Sequence, residues 1–178
     1  MSTEPKFFLL DAGPIIELHR LGLWDTVIDR AEVAIPRVIA EHEAKFWVRE
    51  DNSFMPISAL ADGDSGKLQL LDCDHAELRE TLRAFDGAVQ QSVDPGELHA
   101  LTQVRLWENE PTPRFCSADR MAIVCLCLLG FPDRAISLER LIAEIGLSQQ
   151  LGWKHSQQAV DQWVAEGRRR RVQGEGLA

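Results

Sequence analysis

The sequence has 178 residues, of which 45% are hydrophobic, and a formal net charge of −9. This length suits one domain with a full hydrophobic core, and the composition excludes a disordered or collagen-like chain. The negative charge excludes a protein that holds long nucleic acid by bulk attraction, so any such contact has to be local.

The first part of the chain alternates predicted strands with predicted helices. Residues 6–10 (KFFLL) are predicted to form a buried strand that stops at Asp11, because four apolar residues follow one another. Two helices are expected next, separated by Gly22, and a second short strand is expected over residues 32–35. Pro36 then opens a third helix.

The middle section of the chain spans residues 48–93. It is predicted to be irregular as far as residue 66, with a short strand over residues 68–71 and a helix over residues 75–91. The turn at residues 62–66 is reminiscent of a calcium loop, but it lacks ligands at the fifth and twelfth loop positions.

The remaining elements again alternate. Asp94 is the expected N-cap of a helix that has Pro95 in its first turn. Further elements are predicted in this order: a strand at 114–117, a helix at 119–129, a strand at 135–137, a helix at 138–145 and a helical stretch at 153–171. This order predicts a three-layer α/β/α domain with a central, mostly parallel sheet over residues 1–147. Residues 148–178 would form a C-terminal helical extension with a basic tail.

Two acidic residues follow predicted strands, and two more lie near the starts of helices. Asp11 and Asp119 are at or just beyond strand ends, while Glu41 and Glu97 belong to the helices expected beside the same edge. In parallel α/β sheets, sites form outside the carboxyl ends of the strands, so these four should converge. For Asp11 and Asp119, a role as a helix N-cap explains the position equally well, and both roles stay open.

Four segments around these acids together resemble the PIN domain, the nuclease fold of VapC-type toxins and several RNA-processing enzymes. They come in the family's order and span roughly residues 6–147. The segments are LLDAGPII (9–16), IPRVIAE (35–41), DPGELHAL (94–101) and CSADR (116–120).

The resemblance implies a metal-dependent endoribonuclease that hydrolyses RNA, specifically the toxin of a toxin–antitoxin pair. It implies catalytic roles for Asp11, Glu41, Glu97 and Asp119, with Asp11, Glu97 and Asp119 as ligands of Mg²⁺ or Mn²⁺. The cation would lower the pKa of a bound water and stabilise charge on the phosphate.

Three further residues are accessory candidates. Ser117 could orient an acid or the attacking water, although a strand-end hydroxyl is the simpler role. Glu43 competes with Glu41, because two residues two apart on a helix point to different sides. Glu41 is preferred for its spacing from Pro36. Lys45 could reach a phosphate, and the alternative is a surface ion pair.

The pattern also departs from the family. No further acid follows Asp119 within the next five residues, which predicts at most one weakly held metal ion. An alternative function is therefore a catalytically inactive PIN-like module for binding or regulation. An aspartyl phosphatase is a weaker alternative, because Gly13 stands where those enzymes have a second Asp.

Partners and location complete the expectations. RNA, an antitoxin protein and a second copy of the chain are the expected partners, and the Arg168–Arg171 run either contacts phosphate or is a solvated helix end. The sequence lacks the basic-then-apolar pattern of a secretory signal peptide, and it lacks an apolar stretch long enough to span a membrane. It also has no CxxC motif. These features predict a cytoplasmic protein with free thiols. Apolar helix faces could form the interface or could pack on the protein's own sheet: Leu18, Leu21, Trp24 and Ile28, and Trp153, Val160, Trp163 and Val164.

Overall fold

The structure is a computed structural model that describes residues 6–178. Residues 1–5 lie outside the described residues. The predictions that concern them are the start of the domain at residue 1 and the absence of a secretory signal peptide pattern. No helix within residues 6–178 is both long and apolar enough to cross a bilayer.

The described residues form seven strands and nine α-helices. The strands are β1 (Phe7–Leu10), β2 (Glu32–Pro36), β3 (Phe46–Val48), β4 (Phe54–Pro56), β5 (Gln69–Leu71), β6 (Arg114–Cys116) and β7 (Ala135–Ile136). The helices are α1 (Ala12–Arg20), α2 (Trp24–Arg30), α3 (Ala59–Asp64), α4 (His75–Leu82), α5 (Gly87–Ser92), α6 (Pro95–Leu106), α7 (Arg120–Leu128), α8 (Leu138–Glu144) and α9 (Gln157–Gln173).

Five of the strands form one parallel sheet in the order β5-β2-β1-β6-β7. β1 lies at the centre, with Leu9 beside Ala34 of β2 on one side and beside Phe115 of β6 on the other. All four residues of β1 are buried, which is why this segment is a continuous apolar run instead of an alternating one.

Helices cover both faces of the sheet, and the predicted three-layer α/β/α fold is confirmed. Phe8 and Leu10 pack into a core with α1, α2 and α8 on one face. Phe7 and Leu9 pack into a second core with α6, α7 and α9 on the other face. Alternate residues of one strand thus anchor the two helical layers.

The middle of the chain is more ordered than its sequence predicts. The stretch expected to be irregular, residues 48–66, contains β4 and α3, and β4 forms an antiparallel hairpin with β3, which begins just before that stretch. The helix expected over residues 75–91 is two helices, because Asp86 caps α5 with its side chain and donates its backbone N–H to Gly176. Short strands of three residues carry too few positions for a period of two to be recognised.

The third predicted helix is also different. Instead of an α-helix opened by Pro36, residues Ile39–Glu43 form a π-helix, closed by a bond from the Ala44 N–H to the Ile39 carbonyl. The wider turn changes the direction of each later side chain compared with an α-helix.

The C-terminal helix α9 belongs to the second core. Trp163 is buried there, and the absent β-carbon of Gly167 lets α9 approach α7 closely. Its basic run is largely engaged within the chain: Arg168 pairs with Asp133, Arg170 pairs with Glu166, and Arg171 donates to the Leu128 carbonyl. The solvated helix end is thus the role that these contacts favour.

The helix faces considered as interfaces mostly pack on the protein's own core. Leu18, Trp24 and Ile28 are buried in the first core, and Val160 and Trp163 are buried in the second. Trp153 remains exposed. All four cysteines are free thiols, and three of them are buried.

Candidate active site

The candidate site lies where the order of the sheet reverses. From β1 the chain passes to β2 on one side, whereas β6, on the other side of β1, leads outward to β7. Such a switch point leaves a crevice at the carboxyl edge of the sheet. Asp11 directly follows β1 and donates its backbone N–H to the Cys116 carbonyl at 3.0 Å, which places it against the end of β6.

Asp11 forms the buried floor of the site, with 6% of its surface exposed. Its carboxylate accepts a hydrogen bond of 2.8 Å from the Ala12 N–H and one of 2.6 Å from the Ser117 hydroxyl. Burial raises the pKa of this carboxyl above its ordinary value, and these two bonds offset part of the rise.

Ser117 and Asp119 come from the end of β6. The Ser117 hydroxyl accepts from the Asp119 N–H at 3.0 Å while it donates to Asp11, so it links the two acids. One oxygen of Asp119 caps α7 by accepting from Met121 and Ala122. Asp11 and Asp119 are therefore both N-caps, and this role is compatible with a place in the site.

Glu97 reaches the same edge from the first turn of α6. It forms a capping box with Asp94: the Asp94 carboxylate accepts from the Glu97 N–H at 2.8 Å, and the Glu97 carboxylate accepts from the Asp94 N–H at 3.3 Å. Only 5% of Glu97 is exposed. Burial, followed by the charges of Asp94, Asp119 and Asp11, raises the pKa of Glu97 to about 8.

Glu43 is the member of the π-helix that joins this group. Its carboxylate accepts from the Gly96 N–H at 2.9 Å, at the start of α6. Burial, followed by the charges of Asp94 and Asp11, raises the pKa of Glu43 to about 7. A β-carbon at position 96 would lie 2.4 Å from the carboxylate oxygens, so this contact depends on glycine.

Glu41 is not brought into the group. It lies 3.8 Å from Arg37 and 3.8 Å from His42, in a partly exposed position. Glu41 was preferred for its spacing from Pro36, but in the structure Glu43 is the glutamate of the π-helix that contacts the start of α6. Lys45 is exposed and makes no ion pair with any of residues 6–178.

Asp94 is a site residue that the sequence did not predict, because it was assigned only as an N-cap. It contributes to the raised pKa of Asp11, of Glu43 and of Glu97. The sequence Asp94-Pro95-Gly96-Glu97 could have indicated it, because this segment places two acids in one helical turn. Its glycine is the residue that Glu43 approaches in the structure.

The charge at this edge is not balanced by the protein. None of the five carboxylates forms an ion pair with a cationic side chain of residues 6–178; they are Asp11, Glu43, Asp94, Glu97 and Asp119. Burying a carboxylate without a cation is costly, and burial is the largest cause of the raised pKa values of Asp11, Glu43 and Glu97.

The donor set fits a hard divalent cation in its chemistry, because it consists of carboxylate oxygens with a nearby hydroxyl. The side chains are not arranged as ligands: within residues 6–178 no three His, Cys, Asp or Glu groups stand close enough to hold a metal ion. Glu43 and Glu97 each accept a backbone N–H bond at α6 with one oxygen, and the second oxygen of each remains for a cation once the side chains move closer together.

Comparisons of the chain with protein-family models, with curated proteins and with solved structures found no match.

Proposed function

We propose that this chain is an endoribonuclease that hydrolyses RNA phosphodiester bonds with Mg²⁺ or Mn²⁺ at the carboxyl edge of the sheet. The observation that carries the proposal is the group of five carboxylates at the switch point without a cationic side chain to neutralise them. A site of this charge repels phosphate unless a cation is present, so RNA binding and cation binding should depend on each other.

Each residue of the site has a distinct part in the proposal. Asp11 is held by Ser117 and offers the least mobile oxygen ligand, and Asp119 offers an exposed one. Glu97 and Glu43 approach from α6 and from the π-helix, and each can add its second oxygen while the first keeps its backbone partner. When bound, the cation would stabilise charge on the phosphate and lower the pKa of a water molecule.

The test is cleavage of RNA by the purified protein with Mg²⁺, with Mn²⁺ and with excess EDTA. Asp11→Asn should lower the rate by more than about 100-fold, because it removes a ligand charge. Asn is as good an N-cap as Asp, so α1 should stay intact. Asp86→Asn is the matched control, since Asp86 caps α5 through the Val89 N–H and lies outside the group.

Undiminished cleavage in EDTA, or an Asp11→Asn variant as active as the parent, contradicts the proposal. The second candidate is a PIN-like module that binds or regulates without catalysis. It is favoured by the spacing of the acids, because within residues 6–178 no three of them stand close enough to hold a metal ion. RNA binding without cleavage under any of the three conditions would select it.

A ribonuclease of this kind would need a partner that inhibits it inside the cell. An unrestrained cytoplasmic ribonuclease harms its host, so we propose that an antitoxin protein restrains the chain. Pull-down with the product of a neighbouring gene, followed by the cleavage assay, tests this part. A neighbouring product that binds and inhibits supports it, and one that binds without inhibiting contradicts it. Light scattering at micromolar concentration tests the second copy as a partner.

A further inference from the structure

An exposed apolar surface lies on the hairpin of β3 and β4, which we call the ribbon (residues 46–56). The residues of one face are Phe46, Val48, Phe54 and Pro56, which pair across the strands as Phe46 with Pro56 and Val48 with Phe54. Phe46 is 49% exposed and Phe54 is 67% exposed. Large apolar side chains this exposed on a protein surface mark contact sites when they are contiguous.

The two phenylalanine rings are arranged edge to face. Their centroids are 4.9 Å apart and their planes meet at 88°. A perpendicular pair leaves ring surface open to a further planar group, whereas a parallel stack would cover it. The ribbon therefore offers aromatic surface on which a base can stack.

Cations lie at both ends of β3. Lys45 precedes the strand and Arg49 follows it, and neither makes an ion pair with any of residues 6–178. The Arg49 guanidinium lies 5.7 Å from the ring centre of Trp47, on the other face of the ribbon. Lys45, at the end of β3 nearer Glu43, is therefore the cation placed to meet a phosphate of a strand whose bases stack on the rings.

A cleft adjoins the same strand. Its volume is about 460 Å³, which is within the usual range for a small-molecule site. Its lining includes two guanidinium groups, an indole and two carboxylates that can accept hydrogen bonds: Arg20, Trp47, Val48, Arg49, Glu50 and Asp51.

The ribbon is also close to the acidic edge. Phe46 follows Glu43 by three residues, so their α-carbons are at most about 11 Å apart. Glu43 itself contacts Gly96 at the site. A single RNA strand with one nucleotide on the ribbon could therefore reach the carboxylates within a few further nucleotides.

We propose that the ribbon is a stacking platform for single-stranded RNA, and this inference rests on the proposed ribonuclease function. Its aromatic rings bind the bases, while Lys45, which lies between Glu43 and Phe46 in the chain, contacts a phosphate on the side of the acidic edge. Base stacking is independent of sequence and of bulk charge, which fits a protein with a net charge of −9. A second copy of the chain fits less well, because four apolar side chains are few beside the roughly 20 residues a side of a stable interface.

The test measures binding of a single-stranded RNA of roughly ten nucleotides. The RNA carries 2-aminopurine, whose fluorescence falls when the base stacks. Ca²⁺ replaces Mg²⁺ and Mn²⁺ in the assay, so that the acidic edge is neutralised without the cations of the cleavage reaction. Phe46→Leu and Phe54→Leu keep an apolar side chain but remove the ring. Each should raise the Kd about fivefold or more and reduce the quenching. Val172→Ala, at an 89% exposed position on α9, is the control and should change neither.

Several outcomes would overturn the platform. One is an unchanged Kd and unchanged quenching in both leucine variants. Another is equal binding of the same sequence as a duplex, because paired bases cannot stack on the rings. A third is a wild-type dimer by light scattering that Phe54→Asp dissociates, since the ribbon would then be an interface between copies.

The two proposals fail separately. Quenching that depends on Phe46 and Phe54, without cleavage in Mg²⁺ or Mn²⁺, removes the ribonuclease function and keeps the platform. Cation-dependent cleavage that both leucine variants retain at the parent kcat/KM, together with an unchanged Kd, removes the platform and keeps the ribonuclease function.

Discussion

The Ser117 hydroxyl donates a hydrogen bond of 2.6 Å to the Asp11 carboxylate, across the ends of the two strands between which the sheet order reverses. The same hydroxyl accepts from the Asp119 N–H. One small side chain thus fixes two acids from different strands, and the bond lowers the pKa of Asp11 against the effect of burial.

Ser117→Ala should shift the pH dependence of the reaction. Without the hydroxyl, the pKa of Asp11 rises further, so the carboxylate that binds the cation forms only at higher pH. The rising limb of a kcat/KM profile against pH at fixed Mn²⁺ should move to higher pH. Ser92→Ala, which removes a hydroxyl bonded to the Val89 carbonyl, is the control. A coincident profile for Ser117→Ala would show that the bond has no part in setting the charge of Asp11.

Gly96→Ala should lower the rate of cleavage without lowering the thermal stability of the protein. The added β-carbon would lie 2.4 Å from the Glu43 carboxylate, which is the flexible end of a side chain and can move away. Alanine favours a helix over glycine by up to about 1 kcal/mol, so thermal stability should not fall. Cleavage should fall, because Glu43 is displaced. Gly87→Ala, where an added β-carbon meets nothing within 4 Å, should leave cleavage unchanged.

The unbalanced carboxylates predict a dependence of stability on pH. An acid with a raised pKa binds more protons in the folded than in the unfolded protein. Its contribution to stability is therefore present below the unfolded pKa and is lost as pH rises through the folded pKa. For Glu97 this window runs from 4.5 to about 8, and for Glu43 it runs from 4.5 to about 7.

The measurement is the Tm across that window, with and without Mn²⁺. The Tm should fall as pH rises, and Mn²⁺ should restore it most at the alkaline end, because the cation binds the ionised carboxylates. Glu97→Gln should flatten the slope. Glu77→Gln is the matched control, since Glu77 has the same place in the capping box of α4. A slope that Glu97→Gln leaves unchanged would assign the effect to other groups.

Much of the site could be predicted because it depends on simple local patterns. A buried apolar strand stops directly before Asp11, Asp119 follows the end of β6 by three residues, and a parallel topology brings such strand ends together. Glu97 follows from the Asp-Pro-Gly-Glu helix start. These features need only the order of elements and the preferences of caps, which a sequence displays directly.

The remaining features depend on geometry that the sequence does not display. The direction of Glu43 depends on a π-helix, whose wider turn is not distinguished by apolar spacing from an α-helix. The place of Asp94 depends on how close α6 lies to the end of β1. The ribbon depends on pairing across a short loop with a positive φ of 61° at Asn52. Each of these is a tertiary relationship between segments.

The difference between Glu41 and Glu43 can be tested directly, because each residue is a control for the other. Both are glutamates of one five-residue π-helix, but only Glu43 contacts the start of α6. Glu43→Gln keeps an oxygen that can accept from the Gly96 N–H and loses the charge, so the local structure should persist. Its kcat/KM in Mn²⁺ should fall about 10- to 100-fold, as is usual when a group that supports a metal site is changed.

Glu41→Gln should have a much smaller effect. It weakens contacts with Arg37 and His42 that are 3.8 Å long and partly exposed, and such surface pairs contribute about 1 kcal/mol or less. Comparable Tm values for the two variants would establish that neither result comes from unfolding. If Glu41→Gln is the variant that loses cleavage, the π-helix must rearrange when RNA and the cation bind. The glutamate favoured by its spacing from Pro36 would then be the one that acts.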